Sequence, residues 1–139
     1  MTLTDTGPLV AIVDSNDANH QRCIEAARAI TLPLITTVAC FTEAMYLLGR
    51  SAGAPGQNAL WEYRNIQMLQ VTDLATAELD RAREYMRKFQ DVPCDFADAT
   101  VLVLAERLGS KFVLTLDGHF NAYRVRGKAL TLAPGPRST

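Results

Sequence analysis

Carboxylates able to share a metal ion recur in separate stretches of this 139-residue chain: Asp5 in "TLTDTGP", Glu43 in "TTVACFTEAMYLLGR", Asp95 and Asp98 in "CDFADATVLVLAERLG", and Asp117 in "FVLTLDGHF". Asp5 and Asp117 each follow a short run that reads as a strand, and open parallel sheets bind ligands beyond the carboxyl ends of their strands. Glu43 falls about two turns into the helix after the second strand. Asp98 lies in the first turn of a helix beginning near Asp95. Acids gathered without a cation repel and raise one another's pKa. A hard divalent ion resolves the conflict, and Mg²⁺ or Mn²⁺ suits a few carboxylates while keeping several waters. Held this way, it can activate water and stabilise charge on a phosphodiester under attack. Zinc is the poorer match, since His20 and His119 are far apart and Cys23, Cys40 and Cys94 show no ligand spacing.

Each acid also has a plainer reading. Asp5 could bond the turn at Gly7-Pro8, and Asp117-Gly118 could be an ordinary turn. Glu43 could be a solvated helix residue. Of the pair at the helix start, Asp95 suits the cap and Asp98 the metal, because a carboxylate there satisfies free amides and the helix dipole. These readings treat the acids one at a time and leave their shared placement at strand and helix ends unexplained.

The rest of the chain must position them. With 48% hydrophobic residues it is one domain that buries its core without staples. Fourteen basic against fifteen acidic residues, a net charge of -1, argue against a protein held on nucleic acid by bulk positive charge. An odd number of distant cysteines points to thiols in a reducing compartment. No apolar run approaches the roughly 18 residues of a membrane span, and no leader pattern opens the chain, so a cytoplasmic protein without membrane attachment is expected.

"TLT" reads as a first strand and "PLVAIVD" as a short helix with Pro8 in its first turn. "SNDANHQRCIEAARAI" follows as an amphipathic helix, then "LPLITT" as the second strand. "VACFTEAMYLLGR" sets Val38, Phe41, Met45 and Leu48 on one helical face, and "SAGAPGQ" breaks it. "NALWEYRN" is helical, "IQMLQV" a strand, "TAELDRAREYMRKF" a helix with Leu79, Ala82, Met86 and Phe89 inward, and "DFADATVLVLAERLG" a helix ended by Gly109. "KFVLTL" and "ALTL" are the last strands. Strands alternating with helices predict an α/β fold, with a mostly parallel central sheet flanked by helices. The domain is placed at 1–133, with 134–139 as a flexible tail.

These motifs, in this order, resemble those of the PIN-domain ribonucleases, and more closely the VapC-like toxins of type II toxin–antitoxin pairs. The resemblance covers nearly the whole chain, from "LTDTGPLVAIVD" to the final strand. It implies a metal-dependent endoribonuclease that hydrolyses RNA by metal-activated water, with Asp5, Glu43, Asp98 and Asp117 as catalytic acids and Asp5, Asp98 and Asp117 holding Mg²⁺ or Mn²⁺. Asp95, Thr115 and Asn121 are candidates to stand behind the acids. A cognate antitoxin and a homodimer are the implied partners. A catalytically inactive RNA- or protein-binding scaffold of the same fold is the alternative, and the intact acids argue against it. Only "MTLT" precedes Asp5, shorter than the family's usual first strand, which leaves open a natural start upstream of Met1.

Phosphates need cations, and "YRVRGK" offers Arg124, Arg126 and Lys128 shortly after Asp117. An ordinary charged loop is the competing reading. Leu47, Leu48, Leu60 and Trp61 give more apolar surface than two short helices need, enough for a partner groove. The sequence does not say which RNA is cut, whether one metal or two serve, or which antitoxin binds.

Overall fold

The computed structural model describes residues 1–136. Five short strands, β1 (Thr2–Thr4), β2 (Leu34–Thr37), β3 (Leu69–Thr72), β4 (Phe112–Thr115) and β7 (Thr131–Pro134), form one sheet in the order β3-β2-β1-β4-β7. All four pairings are parallel. The helices are α1 (Thr6–Val13), α2 (His20–Arg28), α3 (Val38–Ser51), α4 (Gly53–Asn65), α5 (Thr76–Lys88) and α6 (Phe96–Leu108). A small antiparallel hairpin, β5 (Arg124–Val125) with β6 (Lys128–Ala129), follows a single 3-10 turn at Gly118–Asn121.

Alternation along the strands splits the core into two layers. Leu34, Leu69 and Leu114 pack with α1, with Ala44 and Leu48 of α3 and with Leu60 of α4, whereas Leu3, Ile35 and Val113 pack against α5 and α6. α6 lies deepest: an unbroken run from Ala97 to Ala105 is buried, so its sequence shows little polar face.

Three departures from the sequence reading have local causes. The break inside "SAGAPGQ" narrows to Ala52: Gly53, the first residue of α4, takes φ +65°, and Pro55 fits the first turn of that helix. Further on, Gly56 lets α4 close on α3, since a Cβ there would meet the Ala52 Cβ at 2.6 Å. "YRVRGKA", read as a charged loop, turns back on itself as the β5–β6 hairpin through Arg126 and Gly127, both at positive φ. The sheet also runs past the expected boundary at 133: Pro134 lies in β7, and the Gly135 amide donates to the Thr115 carbonyl at 3.1 Å. Of the expected tail, residues 137–139 lie outside the described residues.

Candidate functional site

β1 and β4 are neighbours in the sheet, with Thr4 opposite Leu114, and the Asp5 amide extends the ladder by donating to the Leu114 carbonyl at 2.9 Å. From β1 the chain crosses to β2 on one side, while β4 and β7 build out on the other. That reversal opens a crevice beyond the carboxyl ends of β1 and β4, the position where open α/β sheets take ligands. Asp5 and Asp117 leave their strands there, and the first turn of α6 brings in Asp98. One oxygen from each of Asp5, Asp98 and Asp117 lies within 4.8 Å of the others. They line a cavity of about 280 Å³ that also takes in Glu43, Asp95, Gly7, Leu47 and Leu116.

Each acid is held by a different device. Asp5 occupies the N-cap position of α1 but makes no capping bond with its side chain; its Oδ2 accepts from the Thr115 hydroxyl at 3.1 Å. Thr115 also accepts from the Asp117 amide at 3.0 Å, so one buried hydroxyl serves both acids. Asp95 is the cap of α6: its Oδ1 accepts from the Asp98 amide at 2.8 Å, which leaves the Asp98 carboxylate to the cavity. Asp98 Oδ2 meets the phenol of Tyr123 at 3.0 Å, and the same hydroxyl donates to the Pro93 carbonyl at 2.7 Å. Asp117 does two things at once, since its Oδ1 caps the 3-10 turn by accepting from the His119 amide at 2.9 Å. Glu43 stands at the exposed rim, outside the tight triad.

The electrostatics follow from burial and like charge. Burial is the main cause that lifts the Asp5 carboxyl to about 6; the charges of Asp117 and Glu43 add to it, while the Thr6 amide and Thr115 hydroxyl oppose it. Burial likewise raises Asp98 to about 7, helped by Asp5 and Asp95 and opposed by the Tyr123 hydroxyl. Glu43 rises through burial and the charge of Asp95. An all-oxygen set that repels itself is the donor chemistry a hard divalent cation neutralises, so these residues fit Mg²⁺ or Mn²⁺. Cys40 lies beneath, its Sγ 3.8 Å from Asp5 Oδ1, and burial pushes its thiol up to about 12, so it stays neutral.

Other sequence candidates fall elsewhere. Arg126 and Lys128 do not flank the acids: they line a depression with Gly109 and Lys111 before β4 begins, and Arg126 pairs with Glu106 at 3.6 Å. The length of β4, at about 3.3 Å per residue, separates them from Asp117. The hairpin is the cause, because it folds the basic run back along the sheet. Arg124 is exposed and donates to the Asn121 and Tyr123 carbonyls. Asn121 is exposed and enters this network only through its carbonyl. Leu48 and Leu60 are fully buried between α3 and α4, which corrects their assignment to a partner groove; Leu47 and Trp61 remain partly exposed. The residue the sequence did not offer is Tyr123. Its signal was faint: one aromatic in a run read for its charges.

The fold and the acids together define a chain of the PIN-domain family, whose model matches residues 2–126. The chain belongs to that family. It is 28% identical to "Ribonuclease VapC26" of Mycobacterium tuberculosis over 134 residues, which span 95% of this chain and 99% of that protein. Among solved structures it resembles Mycobacterium tuberculosis VapC20, described as a sarcin-ricin loop cleaving toxin, with a TM-score of 0.80 at 20% identity over 88% of this chain and 94% of that one. It also resembles VapBC2 from Rickettsia felis bound to a promoter DNA fragment, with a TM-score of 0.67 at 13% identity over 98% of each chain.

Proposed function

We propose that this protein is a divalent-metal-dependent endoribonuclease, the toxin of a toxin–antitoxin pair, and that Asp5, Asp98 and Asp117 hold the metal. The observation that carries the reading is the triad itself, three carboxylates converging at the crevice between β1 and β4 in a PIN-family chain. A bound Mg²⁺ or Mn²⁺ would supply positive charge against the phosphodiester and lower the pKa of water. The chain's own part is positional. Thr115 fixes Asp5 against the Asp117 amide, and Asp95 turns Asp98 toward the cavity. Glu43, on the rim, faces the incoming strand and is suited to orient the attacking water or accept its proton. The relatives named VapC and VapBC support RNA as substrate and an antitoxin as partner. Trp61 stacks edge-on against Phe41 at 5.0 Å and leaves part of its ring exposed on α4, a suitable contact for that antitoxin or for a second copy in a homodimer. No helix among the described residues is long and apolar enough to cross a membrane. We place the protein in the cytoplasm.

Purified, antitoxin-free protein mixed with structured RNA tests the reading. Cleavage should require Mg²⁺ or Mn²⁺, stop with EDTA, and disappear in Asp98→Asn. Undiminished cleavage without metal would overturn it.

A further inference from the structure

We infer that the outer face of α3 beyond Glu43 is the track along which single-stranded RNA leaves the acid cavity, with Arg50 on a phosphate and Tyr46 beneath a base. The inference rests on the endoribonuclease reading above. Glu43, Tyr46, Leu47 and Arg50 recur at the spacing that keeps residues on one helical face. The acid cavity does not end at Glu43. Leu47 lines both it and an adjoining depression that holds Val10, Asp17, Arg50 and Ser51, so the two surfaces are continuous. From Glu43 to Arg50 the helix rises about 10 Å, at 1.5 Å per residue. That is the length of about three stacked nucleotides at 3.4 Å each.

Charge singles out Arg50. Five acids surround the cavity, and a polyanion can approach only where a cation offsets them. Among the described residues, Arg50 is the one basic residue lining either depression. Three arginines elsewhere are committed to carboxylates: Arg81 to Glu84 and Glu106, Arg107 to Glu78, Arg126 to Glu106. Arg22 donates to Asn19 and to the Gly135 carbonyl. Among the described residues Arg50 has no carboxylate partner. It donates instead to the Tyr46 hydroxyl at 3.1 Å, with its guanidinium 5.9 Å from the ring centroid. Tyr46 is 61% exposed, so the ring has surface left for a base.

An arginine steadied on an open aromatic ring is suited to a single strand, which is bound by phosphate neutralisation and sequence-tolerant stacking. The same surface suits a protein helix poorly. Helix-in-groove docking needs a row of apolar anchors, whereas this depression offers only Leu47 and the nearly buried Val10 beside Asp17, Arg50 and Ser51.

The test is equilibrium binding of a fluorescent, mixed-sequence single-stranded RNA with Ca²⁺ replacing Mg²⁺, across a salt titration, with circular dichroism on each variant. Arg50→Ala should weaken binding about tenfold and lower the salt slope by about 0.7, the value for one phosphate on a single strand. Tyr46→Ala should weaken it about tenfold through lost stacking, without changing the slope, and Tyr46→Phe should restore it. Arg83→Ala, on α5, is the control that should bind as the wild type does. Wild-type binding by both Arg50→Ala and Tyr46→Ala, in protein that still cuts RNA with Mg²⁺, would remove the track and leave the nuclease reading standing. A wild-type protein that neither binds nor cuts RNA would remove both. Unchanged RNA binding with loss of the co-expressed antitoxin would assign this face to a protein instead.

Discussion

The Thr115 hydroxyl donates to Asp5 Oδ2 at 3.1 Å and accepts from the Asp117 amide at 3.0 Å, joining acids that belong to different strands. Thr115→Val removes both bonds and leaves the Asp117 amide without its partner, a loss of about 1–3 kcal/mol. Thr115→Ser keeps them. Thermal unfolding should therefore rank wild type and Ser above Val, and metal titration by calorimetry should show the weaker binding in Val. Equal metal affinity in all three would show that Asp5 does not depend on Thr115.

Removing a negative charge from the triad should separate stability from activity. Asp98→Asn and Asp5→Asn should lose cleavage by a factor on the order of 10²–10³ while the metal-free proteins melt at or above the wild-type temperature at pH 8, where repulsion is greatest. Loss of activity together with loss of the circular dichroism spectrum would instead mark these acids as structural.

The metal-free protein should be less stable at pH 8 than at pH 5. Asp5 and Asp98 titrate near 6 and 7 in the fold but near 3.9 in an unfolded chain. The folded state therefore binds more protons between those values, and stability falls as pH rises from about 4 through about 7. The loss is on the order of a few kcal/mol. Saturating Mg²⁺ should reverse most of it, with about 2.7 kcal/mol gained at a concentration one hundred times Kd. Urea melts at both pH values, with and without metal, check this; a metal-free protein more stable at pH 8 contradicts the burial of these groups.

Tyr123→Phe tests the support behind Asp98. The phenol is fully buried and reaches both Asp98 and the Pro93 carbonyl. Partners behind a metal ligand typically change metal affinity 10–100-fold. Calorimetry on a well-folded Tyr123→Phe should show a fall in that range, and an unaltered affinity would reduce Tyr123 to packing.

The two leucines of α3 should part company. Leu48→Ala should destabilise by about 2–5 kcal/mol, because it opens a hole in the core between α3 and α4. Leu47→Ala, at a partly exposed position, should remain within about 1 kcal/mol. Denaturant unfolding decides between them, and equal effects would return Leu48 to the surface.

The alternation of strands and helices was legible because each element carries its own signal: short apolar, β-branched runs for the buried parallel strands, a helical stripe for α3, and the Gly109 stop after α6. Asp5, Asp98 and Asp117 were legible because strand ends and helix starts have predictable places in a parallel sheet. What misled was context. "YRVRGK" looks like a cationic loop, and only its pairing with "KA" as a hairpin carries Arg126 and Lys128 away from the acids. In α5, Leu79 has the right spacing for the core but stands 46% exposed, and Tyr85 is buried instead. An amphipathic tyrosine satisfies the same periodicity, and the sequence pattern cannot rank the two. Leu48 and Leu60 were read as surplus apolar surface because the closeness of α3 and α4, set at Gly56, is invisible until both are in place.

The position of β1 at the centre of the sheet has a consequence for how the protein comes to be active. Its partner β4 enters the chain about a hundred residues later, and closing so large a loop is among the slow steps of folding. A growing polypeptide that has not yet reached Thr115 and Asp117 leaves Asp5 beside an open sheet edge, with no hydroxyl to hold it and no third acid to share a cation. Truncated products and half-made chains are therefore disarmed by topology alone.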